Sequence, residues 1–202
     1  MISEVSTRSC IPTLFPTRAK PVEAGPVDVY EPGSLFGPGG SNEERLIPPP
    51  ATRGPQVVPL RQHNKVSCGQ TSVAMAVNSL TGKHLQDTDI DRVYRFDLRG
   101  ALNAETGSWG WKWRDGGNLS AAKWPLIEKS LDQGGPVLVG LNGPKFSPSG
   151  KGHIVVIVDV DGDRVTYVDP ADKTQKDCTR KDMERAPSYP GGNFIYYPRR
   201  TE

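Results

Sequence analysis

The sequence predicts an α+β fold, with helices in the first part of the folded domain and an antiparallel β-sheet in the second. Helix-type apolar periodicity is confined to residues 68–132. Short β-branched and aromatic runs, bounded by Gly, Pro and Asp, occupy residues 137–197. The turn signal Asp161-Gly162-Asp163 between two of these runs is typical of a hairpin, so antiparallel pairing is expected. In such a domain we expect the helices to pack on one face of the sheet.

Residues 1–55 differ in composition from the rest of the chain and are predicted to form an extended or disordered tail. They hold ten of the nineteen prolines and six of the 22 glycines, and they show no apolar periodicity. Such a segment cannot bury enough apolar surface to offset an ordering cost of about 1–2 kcal/mol per residue. A linker, a pro-segment or a secretion segment would fit, and Leu35–Gly40 is a candidate self-processing site. The folded domain is expected over residues 56–202.

Three helices are predicted before the sheet. The first covers residues 68–80, where apolar residues share one face, and Gly82 follows its end. A short second helix is expected over 88–94, followed by a polar loop over 103–115. The third helix is expected over 119–132.

Four strands are predicted after these helices, over residues 137–141, 154–160, 165–168 and 194–197. The segment Ser108–Trp113 concentrates three of the four tryptophans in a glycine-punctuated loop. Such a loop either packs its aromatic rings onto the core or lines an apolar substrate subsite.

Composition and charge exclude several classes of function. The formal net charge of +2 is too small to indicate binding to nucleic acid or to an acidic membrane surface. No stretch reaches the roughly 18 apolar residues that a membrane span requires. The first 20 residues lack the apolar run of a secretory signal. We therefore expect a cytoplasmic protein, or one exported by a signal-independent route, as a bacterial effector delivered into a host cell would be.

The cysteine pattern argues against a disulfide scaffold and against a metal site. Cys10, Cys68 and Cys178 are an odd number without a CxxC pair. We expect Cys10 and Cys178 to be free thiols, and no cofactor or metal is predicted.

Cys68 is the candidate nucleophile because it opens the first predicted helix. A thiol at a helix N-terminus lies at the positive end of the helix dipole, which favours the reactive thiolate. Gln62 stands six residues upstream. Its amide and the backbone N–H of Cys68 could both donate to the oxyanion that forms during acyl transfer.

His153 is the candidate base, and Asp169 is the candidate group that orients it. His153 opens one predicted strand, and Asp169 ends the next strand after the hairpin, so antiparallel pairing would place them side by side. The other two histidines, His63 and His84, are interpreted as structural or surface residues.

Four residues in the order Gln62, Cys68, His153 and Asp169 resemble the active site of the papain-like cysteine peptidases. The motifs are Gln62-x5-Cys68-Gly69-Gln70-Thr71-Ser72, Gly152-His153-Ile154-Val155-Val156 and Val168-Asp169-Pro170. In style the chain is closest to bacterial peptidases that cut double-glycine leaders from bacteriocins. It is also similar to the avirulence cysteine protease effectors of plant-pathogenic bacteria. The resemblance covers about residues 57–198.

The resemblance implies a compact papain-like fold and a role for each of the four residues. Cys68 would be the nucleophile, His153 the general base and acid, Asp169 the orienting group and Gln62 the oxyanion donor. One position departs from the pattern, since many papain relatives have an aromatic residue two positions after the cysteine, where this chain has Gln70.

Three functions remain open at this point. A peptidase acting on a protein or peptide substrate fits best, and a glutamine deamidase or transglutaminase would use the same triad. A papain-fold module that binds a partner without turnover is the third reading. The sequence leaves the substrate and the oligomeric state undetermined.

Overall fold

A computed structural model describes residues 54–186 and 193–201 of the chain. The helices are α1 (Cys68–Thr81), α2 (Asp87–Tyr94), α3 (Leu98–Thr106), α4 (Trp124–Asp132) and α5 (Arg180–Glu184). The strands are β1 (Trp111–Asp115), β2 (Val137–Leu141), β3 (His153–Asp161), β4 (Arg164–Asp169), β5 (Thr174–Thr179) and β6 (Phe194–Arg200). They form one antiparallel sheet in the order β1-β6-β2-β3-β4-β5, which confirms the predicted α+β fold. Residues 1–53 of the predicted tail, with Cys10 and the candidate processing site, lie outside the described residues.

Helix α1 is the central helix of the domain and matches its prediction closely. Residues 68–77 are buried without interruption, so the helix is covered on several sides rather than along one stripe. It ends at Gly82, whose φ of 70° is left-handed and whose N–H donates to the carbonyl of Asn78. Glycine suits this position because other residues rarely adopt a left-handed backbone.

A helix and a strand occupy much of the segment predicted as a polar loop over 103–115. Helix α3 begins at Leu98, where the side chain of Asp97 accepts a hydrogen bond from the N–H of Gly100. The side chain of Asn103 accepts at 2.8 Å from the N–H of Trp113, the central residue of β1. Strand β1 pairs with β6, near the C-terminus. The loop prediction was wrong because a local pattern does not show pairing with a strand so distant in the sequence.

The helices cover both faces of the sheet. Helices α1 and α3 pack against one face of the sheet and α2 packs on these two helices, with Leu138 and Val156 in the shared core. Helix α4 packs against the other face, together with Val139 and Ile157. The expectation that all helices share one face is therefore wrong for α4. A continuous apolar run such as β2 is buried on both faces, and each face needs its own cover.

Two further elements, α4 and β5, differ from the sequence prediction. Helix α4 begins at Trp124 rather than at residue 119, with Pro125 in its first turn, where proline is tolerated. Strand β5 was not predicted, because its residues are mostly exposed and polar and lack β-type alternation. No helix in the described part of the chain has the length and apolar character that a bilayer crossing would require.

Candidate active site

Cys68 is the first residue of α1, and only 7% of its surface is exposed to solvent. The first backbone N–H groups of a helix have no partner within the helix, so they are available to a ligand at this end. Four residues further on, the buried hydroxyl of Ser72 donates to the carbonyl of Ile154 at 3.1 Å. This bond fixes α1 to β3 one residue after His153.

His153 opens β3 and Asp169 ends β4, and the two side chains are hydrogen-bonded. The distance between His153 Nε2 and Asp169 Oδ1 is 2.7 Å, and both residues are 8% exposed. The predicted placement of the two residues side by side is therefore confirmed. Since Nε2 is engaged by the carboxylate, Nδ1 is the ring nitrogen that remains for Cys68.

The thiol of Cys68 lies close enough to the His153 ring to influence the pKa of the imidazole. Burial by itself would lower the pKa of the imidazole, because it disfavours the charged form. The hydrogen bonds to Asp169 and to Cys68 outweigh burial and raise the pKa of His153 to about 9. The arrangement thus favours an imidazolium next to the sulfur.

Asp169 is held by more partners than the sequence indicated. Its Oδ1 also accepts from the backbone N–H of Ala171 at 2.9 Å, and its Oδ2 accepts from Lys176 Nζ at 2.8 Å. Burial would raise the pKa of this carboxyl, but the hydrogen bonds from His153, Lys176 and Ala171 hold it well below its usual range. The carboxylate stays ionised, so it can stabilise the imidazolium.

Lys176 was not singled out from the sequence because it lies on β5, the strand without a recognisable pattern. The register of β4 and β5 pairs Asp169 with Thr174 and Tyr167 with Lys176. Lys176 is therefore a diagonal cross-strand neighbour of Asp169 on the same face of the sheet. It also contacts the carboxylate of Asp172 at 2.6 Å.

Gln62 lies on the loop before α1 and shares a cavity with His153. Its backbone N–H donates to the carbonyl of Pro170 at 2.8 Å, which ties this loop to the residue after Asp169. Its side-chain nitrogen donates to the carbonyl of Asn64 at 2.6 Å. An amide nitrogen has two protons, so one remains for a substrate oxygen. Its Oε1 is buried and has no hydrogen-bond partner in the described structure.

The two other histidines lie where the sequence analysis placed them. His84 is exposed. His63 is half exposed and hydrogen-bonds through Nδ1 to Asp87 Oδ2 at 2.5 Å, while its backbone N–H donates to the same oxygen. Burial would raise the pKa of the Asp87 carboxyl, yet its hydrogen bonds to His63 and Ser67 lower it. This pair braces the loop that carries Gln62 against α2.

The candidate catalytic residues line two cavities. We call the first the polar cavity: it has a volume of about 690 Å³ and is lined by residues 61–65, 145–149, Gly152, His153, Asp169, Ala171 and Lys176. We call the second the apolar cavity: it has a volume of about 270 Å³ and is lined by Val66, residues 68–70, Phe96, Leu98, Ile154, Phe194 and Tyr196. Cys68 lines the apolar cavity, whereas His153 and Asp169 line the polar cavity.

The tryptophan-rich segment lines neither of these cavities. Trp111 and Trp113 are buried, and the indole N–H of Trp113 donates to the hydroxyl of Thr106. Trp109 is 50% exposed. Of the two readings of this segment, packing of the rings onto the core holds for Trp111 and Trp113, and the aromatic wall of the apolar cavity comes instead from Phe96, Phe194 and Tyr196.

The residues after Cys68 have packing roles. A Cβ on Gly69 would lie 2.9 Å from Leu98 Cδ1, so only the smallest residue fits without a shift of that side chain. Gln70, where many papain relatives have an aromatic residue, is buried and donates to the Asp91 carboxylate and to the carbonyl of Arg95. It thereby holds α1 against the end of α2.

No group of three or more His, Cys, Asp and Glu residues in the described part of the chain forms a cluster suited to a metal ion. Cys178 is buried and free, and burial raises the pKa of its thiol to about 11. It belongs to the core on the α4 side of the sheet.

A thiol at the start of a buried helix, facing a histidine–aspartate pair on an antiparallel sheet, defines the class of thiol hydrolases with a papain-like fold. The model of the Peptidase_C39 like family matches residues 55–190, about two thirds of the chain. The chain belongs to this family and is a cysteine peptidase. A search of the curated proteins found no match.

Two solved structures with TM-scores of 0.50 or above support the fold. A C39-like peptidase from Bacillus anthracis shares 17% identity with a TM-score of 0.53, covering 72% of this chain and 96% of that one. The peptidase domain of Streptococcus ComA, a bifunctional ABC transporter involved in a quorum-sensing pathway, shares 11% identity with a TM-score of 0.50. That match covers 71% of this chain and all of the other. The Pseudomonas avirulence protein AvrPphB also matches, over 71% of this chain and 96% of that one, at 13% identity and a TM-score of 0.37.

Proposed function

We propose that the chain hydrolyses peptide bonds in a protein or peptide substrate, with Cys68, His153, Asp169 and Gln62 as its catalytic set. The observation that carries this proposal is the 2.7 Å hydrogen bond between His153 and Asp169, together with the interaction of the Cys68 thiol with the His153 ring that helps to raise the pKa of this histidine. A Cys–His pair oriented by a third group is the arrangement of nucleophilic catalysis on acyl compounds.

In the first half of the reaction, the Cys68 thiolate attacks the carbonyl carbon of the scissile bond. The backbone N–H of Cys68 and the amide of Gln62 donate to the oxyanion that develops, and each such donor is worth about 3–4 kcal/mol. The imidazolium of His153 then gives its proton to the departing amine, which leaves the acyl group on sulfur as a thioester. The Asp169 carboxylate stabilises the imidazolium until that transfer.

In the second half, water attacks the thioester. His153 takes a proton from the water as general base, and the sulfur of Cys68 leaves as the thiolate when the thioester bond breaks, which restores the thiolate and the imidazolium. The hydrogen bond from the backbone N–H of Gln62 to the carbonyl of Pro170 links the oxyanion donor to the end of the strand that carries Asp169. It therefore supports the same oxyanion geometry in acylation and in hydrolysis of the thioester.

The experiment that tests this function is digestion of a library of proteome-derived peptides, read by mass spectrometry. Wild type should generate new peptide termini, whereas Cys68→Ala should lower their rate of formation by about 10³-fold or more. Cleavage that persists in Cys68→Ala would contradict the assignment of the nucleophile. A gain of about one mass unit on glutamine without new termini would indicate deamidation by the same thiol.

An exported effector role would depend on residues 1–53, which lie outside the described residues. Incubation of the full chain with N-terminal sequencing, comparing wild type with Cys68→Ala, would test self-processing at Leu35–Gly40.

A further inference from the structure

The two cavities lined by the candidate catalytic residues differ in charge. The apolar cavity is lined by aromatic and aliphatic side chains and contains no Lys, Arg, Asp or Glu. Besides the His153 imidazole, the polar cavity is lined by four Lys and Arg side chains and by one carboxylate, that of Asp169. The Lys and Arg residues are Arg61, Lys65, Lys145 and Lys176.

The chemistry of the reaction assigns the polar cavity to the leaving side of the scissile bond. The acyl part of the substrate stays on the sulfur of Cys68, while the amine nitrogen must accept the proton of the His153 imidazolium before it departs. Residues downstream of the cleaved bond continue from that nitrogen. They therefore extend from His153 into the cavity that His153 lines, and the apolar cavity beside Cys68 is left to the acyl part.

Two of the four cations are already neutralised within the protein. Lys145 Nζ lies 2.6 Å from Asp182 Oδ2. Lys176 Nζ contacts Asp169 and Asp172. Arg61 and Lys65 are both exposed, and neither has a carboxylate within 4.0 Å in the part of the chain that the structure describes.

Arg61 and Lys65 are carried on a braced loop rather than on a free one. The loop is fixed at Gln62 by the bond to Pro170 and at His63 by the pair with Asp87. Asn64 closes the turn by accepting from the N–H of Val66 at 2.8 Å. The two uncompensated charges are therefore held at the rim of the cleft, on either side of the oxyanion donor.

We propose that Arg61 and Lys65 select peptides with acidic side chains in the first positions downstream of the cleaved bond. This inference rests on the proposed peptidase function, because it takes the leaving side from the role of His153. The selection depends on electrostatic attraction between side chains that are exposed to solvent. Each exposed ion pair contributes up to about a fivefold preference, so we expect about a threefold to tenfold preference for acidic over amide side chains.

The first arm of the test uses the cut sites from the proteome-derived peptide library. Among cuts that depend on Cys68, Asp and Glu should be enriched in the first three positions after the bond. The most rapidly cut peptide is then made with each of these acids replaced by its amide, Asp by Asn and Glu by Gln. The kcat/KM should fall by about threefold to tenfold, and the difference should shrink at about 0.5 M salt because screening weakens exposed pairs.

The second arm compares two double variants that remove the same two charges. Arg61→Gln with Lys65→Gln should abolish the difference between the acidic and amide peptides. Arg114→Gln with Lys112→Gln is the matched control, since both residues are exposed on the edge strand β1 and line neither cavity. The control should keep the preference.

The outcomes separate this inference from the function on which it rests. Cys68-dependent cuts without acidic enrichment, or equal kcat/KM for the two peptides, would overturn the selectivity and leave the peptidase function standing. A preference that survives the Arg61 and Lys65 double variant would also overturn it. Absence of any Cys68-dependent cut would overturn both.

Discussion

The active-site cleft contains two histidine–aspartate pairs that look alike at first sight. His153 bonds to Asp169 at 2.7 Å and His63 bonds to Asp87 at 2.5 Å, and both histidines line the polar cavity. In each pair the aspartate is buried, 8% exposed for Asp169 and 4% for Asp87. Pairing with a carboxylate is therefore common to the two, and it does not distinguish a base from a structural residue.

The two rings differ in which nitrogen is left free. His63 uses Nδ1 for Asp87, and its Nε2 lies 2.9 Å from the side-chain nitrogen of Asn64. The orientation of that amide is fixed, because Asn64 Oδ1 accepts from the N–H of Val66. Nε2 of His63 must therefore accept, and both of its nitrogens are occupied. His153 uses Nε2 for its aspartate, which leaves Nδ1 for Cys68.

The two rings also differ in burial. The His63 side chain is 50% exposed, whereas that of His153 is 10% exposed. A buried ring depends on its partners for the charged form, and His153 has both a carboxylate and a thiol. Under the proposed function, the free ring nitrogen within a buried pair suits His153 to the role of base, whereas the fully bonded pair of His63 and Asp87 holds the loop in place.

The largest expected effect comes from exchanging the two histidines for alanine in turn. His153→Ala should lower kcat/KM by about 10³-fold or more, because no group then takes or returns the proton. His63→Ala should lower it by no more than about tenfold, through a looser Gln62 loop. Steady-state kinetics on one cleaved peptide would measure both, with circular dichroism as the control for folding. An equal loss in the two variants would contradict the distinction between base and brace.

Replacing each aspartate by asparagine should give two variants that differ both in kcat and in stability. Asp169→Asn should lower kcat by about 100-fold or more while retaining the fold, since it removes the charge that stabilises the imidazolium. Asp87→Asn should lower kcat by about tenfold at most but destabilise the protein by about 1–3 kcal/mol, because the partly buried hydrogen bonds of its carboxylate to His63 and Thr88 are weakened. Urea denaturation alongside kinetics would resolve the two. A stable Asp87→Asn protein with a 100-fold loss of kcat would reverse their roles.

The smallest expected effect is a shift in pH dependence. Because the pKa of His153 is raised to about 9, the imidazolium persists to that pH, and kcat/KM should fall only as the pH rises through about 9. In Asp169→Asn the fall in kcat/KM should occur at lower pH, because the hydrogen bond that raises the pKa of His153 is weakened. In Asp87→Asn it should stay in place. A profile of kcat/KM against pH for the three proteins measures this, and a wild-type fall near pH 6.5 would contradict it.

Much of the site was readable from the sequence because it depends on local features. Cys68 opens a periodic apolar run, and His153 and Asp169 flank a hairpin whose turn is visible in the sequence. The parts that could not be predicted depend on strands that are polar or that pair with a strand distant in the sequence. Strand β5 has no apolar alternation, so Lys176 gave no signal, and β1 needed its partner β6.

The sequence by itself determined the order and type of the residues available for chemistry: one thiol at a helix start, few histidines, and a strand pair able to join His153 to Asp169. Only the tertiary structure decided which histidine faces the thiol and how the cleft divides into apolar and cationic halves. The reason is physical. Helix starts and hairpins arise from neighbours in the chain, whereas ring orientation and the charge of a cleft depend on residues brought together by the packing of α1 against β3.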